Sequence, residues 1–272
     1  SYAPPETMPA PKAMPPGSTM REIQDRGRLI AGVSADTLKL ASRNPITGRI
    51  EGFDIDMLRA VSQAIFGSPD KIELRVITAA QRLPALQDGS VDIVARNMTI
   101  TCARWDEIAF SSEYYRSGQK VMVRLGARTE SGGEITGIQD LTGQKVCAPN
   151  GSTSMEKLRT FEGVEAVGAS THTGCLVLFQ QGAVDAITGD DTVLAGLAAQ
   201  DPFVEVVQGP AFTAEPYGLG VNQEDVDLAR FVNGVLAAMR ADGRWTASYD
   251  TWLAEALGPA PKPPAAVYGR AP

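Results

Sequence analysis

Apolar positions follow two alternating rhythms from residue 28 to residue 207: short β-type runs and longer helical periods. Run 28–33 (RLIAGV) predicts a first strand, and residues 51–66 then place Ile55, Leu58, Val61 and Ile65 on one helical face. Residues 72–77 alternate like a strand, 81–87 form a short helix with Leu83 and Leu86 inward, and 91–95 are an apolar strand leaving Gly89. Three β units in succession predict one doubly wound lobe.

Residues 119–124 (QKVMVR) alternate again, and 126–137, rich in Gly, Ser and Thr, read as a loop between lobes. A second set follows: strands at 145–148, 164–167, 184–187 and 203–207, with helices from Ser154, over 175–181 and over 192–199. After a further strand at 217–221, two striped helices at 226–239 and 245–257 close the chain. If the chain crosses back near 209–216, these helices cover the first lobe and two crossovers make a hinge. The predicted division is residues 19–116 and 216–272 for lobe 1 and 117–215 for lobe 2.

Residues 1–18 hold six of the 18 prolines and almost no aliphatic side chains, so they are expected to form an extended tether. Charged residues at 21% and hydrophobic residues at 43% exclude disorder for most of the chain. Twenty-five basic against 32 acidic residues, without a block of like charge, argue against a nucleic-acid partner. No run of about 18 apolar residues predicts a membrane-spanning helix. Cys102, Cys147 and Cys175 allow one pair and one free thiol; none stands in a CxxC or beside a histidine, so no zinc site is expected. The single histidine, His172, lies in a polar stretch and reads as a surface residue.

Three segments carry candidate chemistry. Residues 97–110 (NMTITCARWDEIAF) follow a buried strand, which puts Thr99, Thr101 and Arg104 outside a strand carboxyl end, where open α/β sheets present ligands. The planar fork of Arg104 suits a carboxylate. Residues 149–158 (PNGSTSMEKL) put Gly151, Ser152 and Thr153 at a helix start, as an anion contact or a plain N-cap. Residues 184–191 (VDAITGDD) end a strand on Asp190 and Asp191, which suits an ammonium group; no further partner stands at metal-ligand spacing, so neither metal nor cofactor is expected.

Five stretches in order, GFDIDMLRAV (52–61), LQDGSVDIVARNMTIT (86–101) with Arg104 and 110–115, DLTGQKVCAPNGST (140–153), GAVDAITGDD (182–191), and EPYGLGV (215–221) with ADGRW (241–245), resemble the polar amino-acid family of periplasmic solute-binding proteins. The resemblance spans most of residues 20–257 and implies an α/β fold of two doubly wound lobes joined by a two-strand hinge, periplasmic binding protein type II-like. It implies capture of an acidic amino acid or its amide, without catalysis, for the membrane permease of an ABC importer. A ligand sensor feeding a membrane signalling partner is the first alternative and a cyclohexadienyl-dehydratase-like enzyme the second. A monomer outside the cytoplasm, lipid-anchored through a residue upstream of Ser1, is implied as well.

Carried over residue by residue, the family's α-carboxylate arginine falls on Arg104, its helper hydroxyl on Thr99 and the preceding contact on Asn97. Second-lobe contacts fall on Gly151, Ser152 and Thr153, and the ammonium-binding acid on Asp190, with Asp191 as the lesser candidate. AQRLPALQDG (80–89) resembles glutamate/aspartate-binding members and offers Arg82 for a side-chain carboxylate, with Lys39 as a second cation. Cys147 and Cys175 match the disulfide of actinobacterial glutamate-binding lipoproteins, which leaves Cys102 reduced. The chain departs from the pattern at Cys102 and Ala103, at Glu113, and at 34–40 (SADTLKL), which lacks the aromatic clamp.

Overall fold

The computed structural model describes residues 1–270. One five-stranded sheet runs in the order Ile72–Val76, Leu29–Val33, Ile93–Val94, Gly220–Asn222, Ile108–Phe110. A second runs Glu165–Ala169, Lys145–Pro149, Ala186–Asp190, Gln119–Arg124, Val204–Val206. In each, the first three strands are parallel and the fourth is antiparallel to its neighbours. That fourth strand is the one the chain lays down just after crossing from the other lobe. The crossings, Tyr115–Ser117 and Glu215–Tyr217, pair antiparallel with Ser117 opposite Glu215, so the two sheets share a two-stranded connection.

Both faces of the second sheet are covered, and its central strands Lys145–Pro149 and Ala186–Asp190 are buried along almost their whole length. Alternation divides the sheet's side chains: Val121, Val146 and Ala148 pack in one core with Met155 and Leu158, while Met122, Cys147 and Ile187 pack in another with Phe179 and Leu194. Cys147 thus lies on the face covered by helix His172–Gln180 and is bonded to Cys175. Cys102 is free and exposed. The first core takes in the terminal helices Val226–Asp242 and Arg244–Trp252, with Phe53 edge-on to Trp245 at 5.8 Å.

The expected single strand at 217–221 is two pieces, Glu215–Tyr217 and Gly220–Asn222, which pair in different sheets on either side of Gly218. A side chain there would meet Ile100 at 2.8 Å. The loop after the first strand folds into a small sheet, Asp36–Thr37, Ala41–Arg43 and Ile50–Glu51. Gly52 closes it with φ 143°, since a Cβ would lie 2.2 Å from the Leu40 carbonyl oxygen.

The proline-rich segment has no strand, turns at residues 11–12 and 16–17, and does not stand away from the body. Met14 is 1% exposed within the first core, Lys12 N–H donates to the Ile65 carbonyl at 2.8 Å, and Asn233 Nδ2 donates to the Tyr2 carbonyl at 2.7 Å. Sparse methionines and an aromatic ring, rather than an aliphatic run, supply the buried area, a signal that composition alone hides. Among the described residues no helix is long and apolar enough to cross a membrane.

Candidate functional site

Three guanidinium groups are buried where strand ends of the first lobe meet the second. Arg104 follows the helix start capped by Thr101 and donates from Nη1 to the Thr99 carbonyl at 2.7 Å and from Nη2 to the Gly151 carbonyl at 3.5 Å. Arg82 donates from Nε to the Ala79 carbonyl at 2.9 Å, from Nη1 to the Arg96 and Asn97 carbonyls at 3.1 and 3.3 Å, and from Nη2 to the Gly151 carbonyl at 3.1 Å. Gly151 belongs to the second lobe, so its carbonyl is a point on which the lobes meet. A Cβ there would sit 2.7 Å from Ala80 Cα, and its φ of 73° also favours glycine. Arg96 donates from Nε to the Ile77 carbonyl at 2.7 Å. Burial lowers the pKa of all three, and Arg82 is lowered further by its neighbours Arg104 and Arg96. None of the three has a carboxylate within ion-pair distance among the described residues.

The opposing charge comes from strand Ala186–Asp190. Asp190 is buried, accepts from Tyr217 Oη at Oδ2 (2.6 Å), and leaves Oδ1 without a partner among the described residues. Burial, then the nearby Glu215 and Asp191 carboxylates, push its pKa up to about 7 against the opposing pull of Tyr217 and Arg82. A buried carboxylate oxygen without a donor is costly, and it suits a cationic ligand group.

Glu215 lies on the returning hinge strand and is also buried. Its Oε2 accepts from Thr99 Oγ1 (2.6 Å) in the first lobe and Thr153 Oγ1 (2.8 Å) in the second, and its Oε1 accepts from Thr213 Oγ1 (2.7 Å). Each hydroxyl has one proton. Thr99 and Thr153 therefore point protons at Glu215 and have only lone pairs left for the cleft. As hydrogen-bond groups they now suit an ammonium rather than a carboxylate, unlike the helper hydroxyl expected at Thr99.

Asn97 adopts φ 36°, a left-handed conformation that asparagine tolerates. Its N–H donates to Asp54 Oδ2 at 2.8 Å, and Asp54 Oδ1 accepts from Tyr114 Oη at 2.6 Å. Burial pushes Asp54 up to about 6.

Arg82, Asn97, Ser152, Thr153 and Asp190 line one small enclosed space of about 10 Å³, roughly one water; Gly151 and Thr99 touch that lining through Arg82 and Thr153, and Arg104 lies one contact further out, on the Gly151 carbonyl. Eight of the nine predicted positions are thus brought together with the lobes shut on each other. Ser152 caps the helix start, its Oγ accepting from the Met155 N–H at 3.1 Å, so its hydroxyl serves the backbone. Lys39 is the exception: it pairs with Glu255 at 3.2 Å and lines a separate cavity with Lys120, Tyr115 and Tyr249. The hairpin 36–43 turns Lys39 that way, and φ 75° at this residue fixes it.

His172 is not a surface residue. Its ring is half-buried at the same space, Nε2 lies 3.3 Å from the Thr188 carbonyl oxygen, and burial pushes its pKa down to about 4, so it is neutral. The preceding Thr171 is the helix cap, its Oγ1 accepting from Gly174 N–H at 3.0 Å. Arg96 and Glu215 were also missed. Arg96 lies one residue past an apolar strand run, a usable signal, whereas the partners of Glu215 lie 116 and 62 residues away and leave none.

Two α/β lobes, two crossings and charged groups converging between the lobes define a clamp of the type II periplasmic-binding-protein class. The chain belongs to the bacterial extracellular solute-binding proteins, family 3, which it matches over residues 29–255. It is 33% identical over 239 residues to the ABC transporter glutamine-binding protein of Bacillus subtilis, covering 87% of this chain and 85% of the relative. It is 31% identical over 245 residues to a glutamate-binding protein of Corynebacterium efficiens, covering 86% and 80%. The structure of a solute receptor for L-cysteine of Neisseria gonorrhoeae superposes with a TM-score of 0.81 at 27% identity, covering 89% of this chain and 96% of the other.

Proposed function

We propose that this protein captures a free amino acid with an acidic side chain between its lobes and hands it to the permease of an ABC importer outside the cytoplasm. The observation that carries this reading is one enclosed space lined by Asp190, with an unpartnered Oδ1, and by Arg82 and Arg96, beside which Arg104, without an acid partner, shares the Gly151 carbonyl with Arg82. Those are the complements of an α-carboxylate and an α-ammonium group. Thr99 and Thr153, their protons held by Glu215, add acceptors for the ammonium. The ligand's side chain then runs toward Arg82 and Arg96. Relatives named for glutamine and glutamate binding support both the amino-acid class and its polar side chain.

The protein catalyses nothing in this reading: its relatives are named as solute-binding proteins. A ligand touching both lobes stabilises the shut form by its differential contacts, and the membrane partner reads that form. A lipid anchor upstream of Ser1 would keep the clamp at the membrane. Calorimetry against each of the twenty amino acids tests the proposal. Glutamate or aspartate is expected to bind most tightly, with their amides weaker; absence of heat for all twenty would overturn it.

A further inference from the structure

We propose that Arg96, rather than Arg82 or Lys39, is the residue that selects an acidic over an amide side chain, an inference that rests on the cleft being an amino-acid site. A guanidinium has five N–H donors, and its capacity for a carboxylate depends on how many are already engaged. Arg82 directs four contacts at main-chain carbonyls, from Nε, twice from Nη1 and from Nη2, which leaves one donor. It is a strut tying the strand-end loops of the first lobe to the Gly151 turn of the second. Arg104 engages two, at the end assigned to the α-carboxylate.

Arg96 engages one. Nε donates to the Ile77 carbonyl, and among the described residues neither Nη group has a protein hydrogen-bond partner, although the residue is 5% exposed and lines the same space as Asp190. The two acids whose charge acts on it, Asp36 and Asp54, make no hydrogen bond to it: Asp54 accepts from Asn97 N–H and Tyr114, and Asp36 Oδ1 from Ser34 Oγ. His172, which lines the same space, is neutral and neither cancels nor duplicates its charge. With Nε anchored, the fork is held in one plane and its Nη edge is free for bidentate pairing. An amide would offer that edge one acceptor and turn an NH₂ group toward a cation, whereas a carboxylate offers two acceptors and a charge.

The test is titration of L-glutamate, L-aspartate, L-glutamine and L-asparagine into the wild-type chain, Arg96→Gln and Arg82→Gln. Arg96→Gln is expected to weaken the two acids by about 10- to 100-fold, the range for a lost charged hydrogen bond, and the amides by less than about threefold on the same scale. Arg82→Gln, which removes the strut, is expected to weaken all four alike. Near-ultraviolet circular dichroism checks the fold, and Arg96→Lys, which keeps the charge without the fork, is expected to fall between. Equal losses for acids and amides in Arg96→Gln, or no loss, would overturn the assignment of Arg96 while leaving amino-acid binding intact. A wild-type chain that binds none of the four would instead remove the function on which the assignment rests.

Discussion

At the scale of single residues, the site is a set of buried groups whose polarity is fixed before a ligand arrives. Asp190 illustrates the consequence. Its pKa in the folded chain, about 7, lies above the ordinary carboxylate value of 3.8 because burial and the adjacent acids penalise its charge. Between those values the folded chain holds a proton that the unfolded chain has released, so this group favours folding at low pH and the contribution is lost as pH rises through about 7. A ligand ammonium reverses the preference by stabilising the anion. Binding should therefore release close to one proton at about pH 6 and close to none at about pH 8, and affinity should weaken toward acid pH. Calorimetry at pH 6 in buffers of different ionisation enthalpy measures that proton, and Asp190→Asn should abolish both its release and most of the affinity. Glu215 is a second fixed point: Glu215→Ala should cost about 1–3 kcal/mol through the hydroxyls it leaves without an acceptor. Because Thr99 and Thr153 come from different lobes, the loss should appear as a more open ligand-free form in small-angle scattering, whereas an unchanged radius of gyration would show that the contact does not hold the lobes.

At the scale of elements, strand ends deliver the functional side chains, and this is the part most legible in the sequence. Asn97, Thr99, Arg104, Gly151, Thr153 and Asp190 all follow apolar runs whose length and alternation mark a strand, and the fold brings the ends of those strands to one place. What the pattern could not give was pairing across distance. The Glu215 carboxylate is a functional group only because hinge geometry sets it between two threonines, and Lys39 is misdirected by a hairpin formed from two- and three-residue strands too short to show periodicity. His172 was hidden for another reason, since a helix N-cap and an exposed turn draw on the same polar residues. The disulfide belongs at this scale too. It closes 28 residues and ties Lys145–Pro149 to His172–Gln180 inside the second lobe, behind the site rather than across the cleft. Cys147→Ala with Cys175→Ala should cost about 2–4 kcal/mol of stability, measured by denaturant unfolding, and change ligand affinity little. A large loss of affinity at equal folding would mean that the bond positions the site.

At the scale of the molecule, the two lobes are unequal. The first carries the terminal helices and both ends of the described residues: Met14 is in its core, and Arg270 donates to the Trp105 carbonyl at 2.7 Å. The second lobe is tied to it by the two crossings and by contacts that exist only when the lobes meet, namely Arg82 and Arg104 with the Gly151 carbonyl, Thr99 and Thr153 on Glu215, and Thr173 Oγ1 with the Asp36 carbonyl at 3.2 Å. On the proposed function, opening and closing would move the second lobe against a belted first one, with Arg104 as the group at which ligand capture and closure coincide. The most direct measurement is a paired titration of L-glutamate into the wild-type chain and Arg104→Ala, with the melting temperature of each recorded without ligand. Loss of at least about 100-fold in affinity, the consequence of removing a desolvated bidentate carboxylate contact, with a nearly unchanged melting temperature is the predicted result. Retention of wild-type affinity by Arg104→Ala would contradict the placement of the α-carboxylate and with it the account of the clamp.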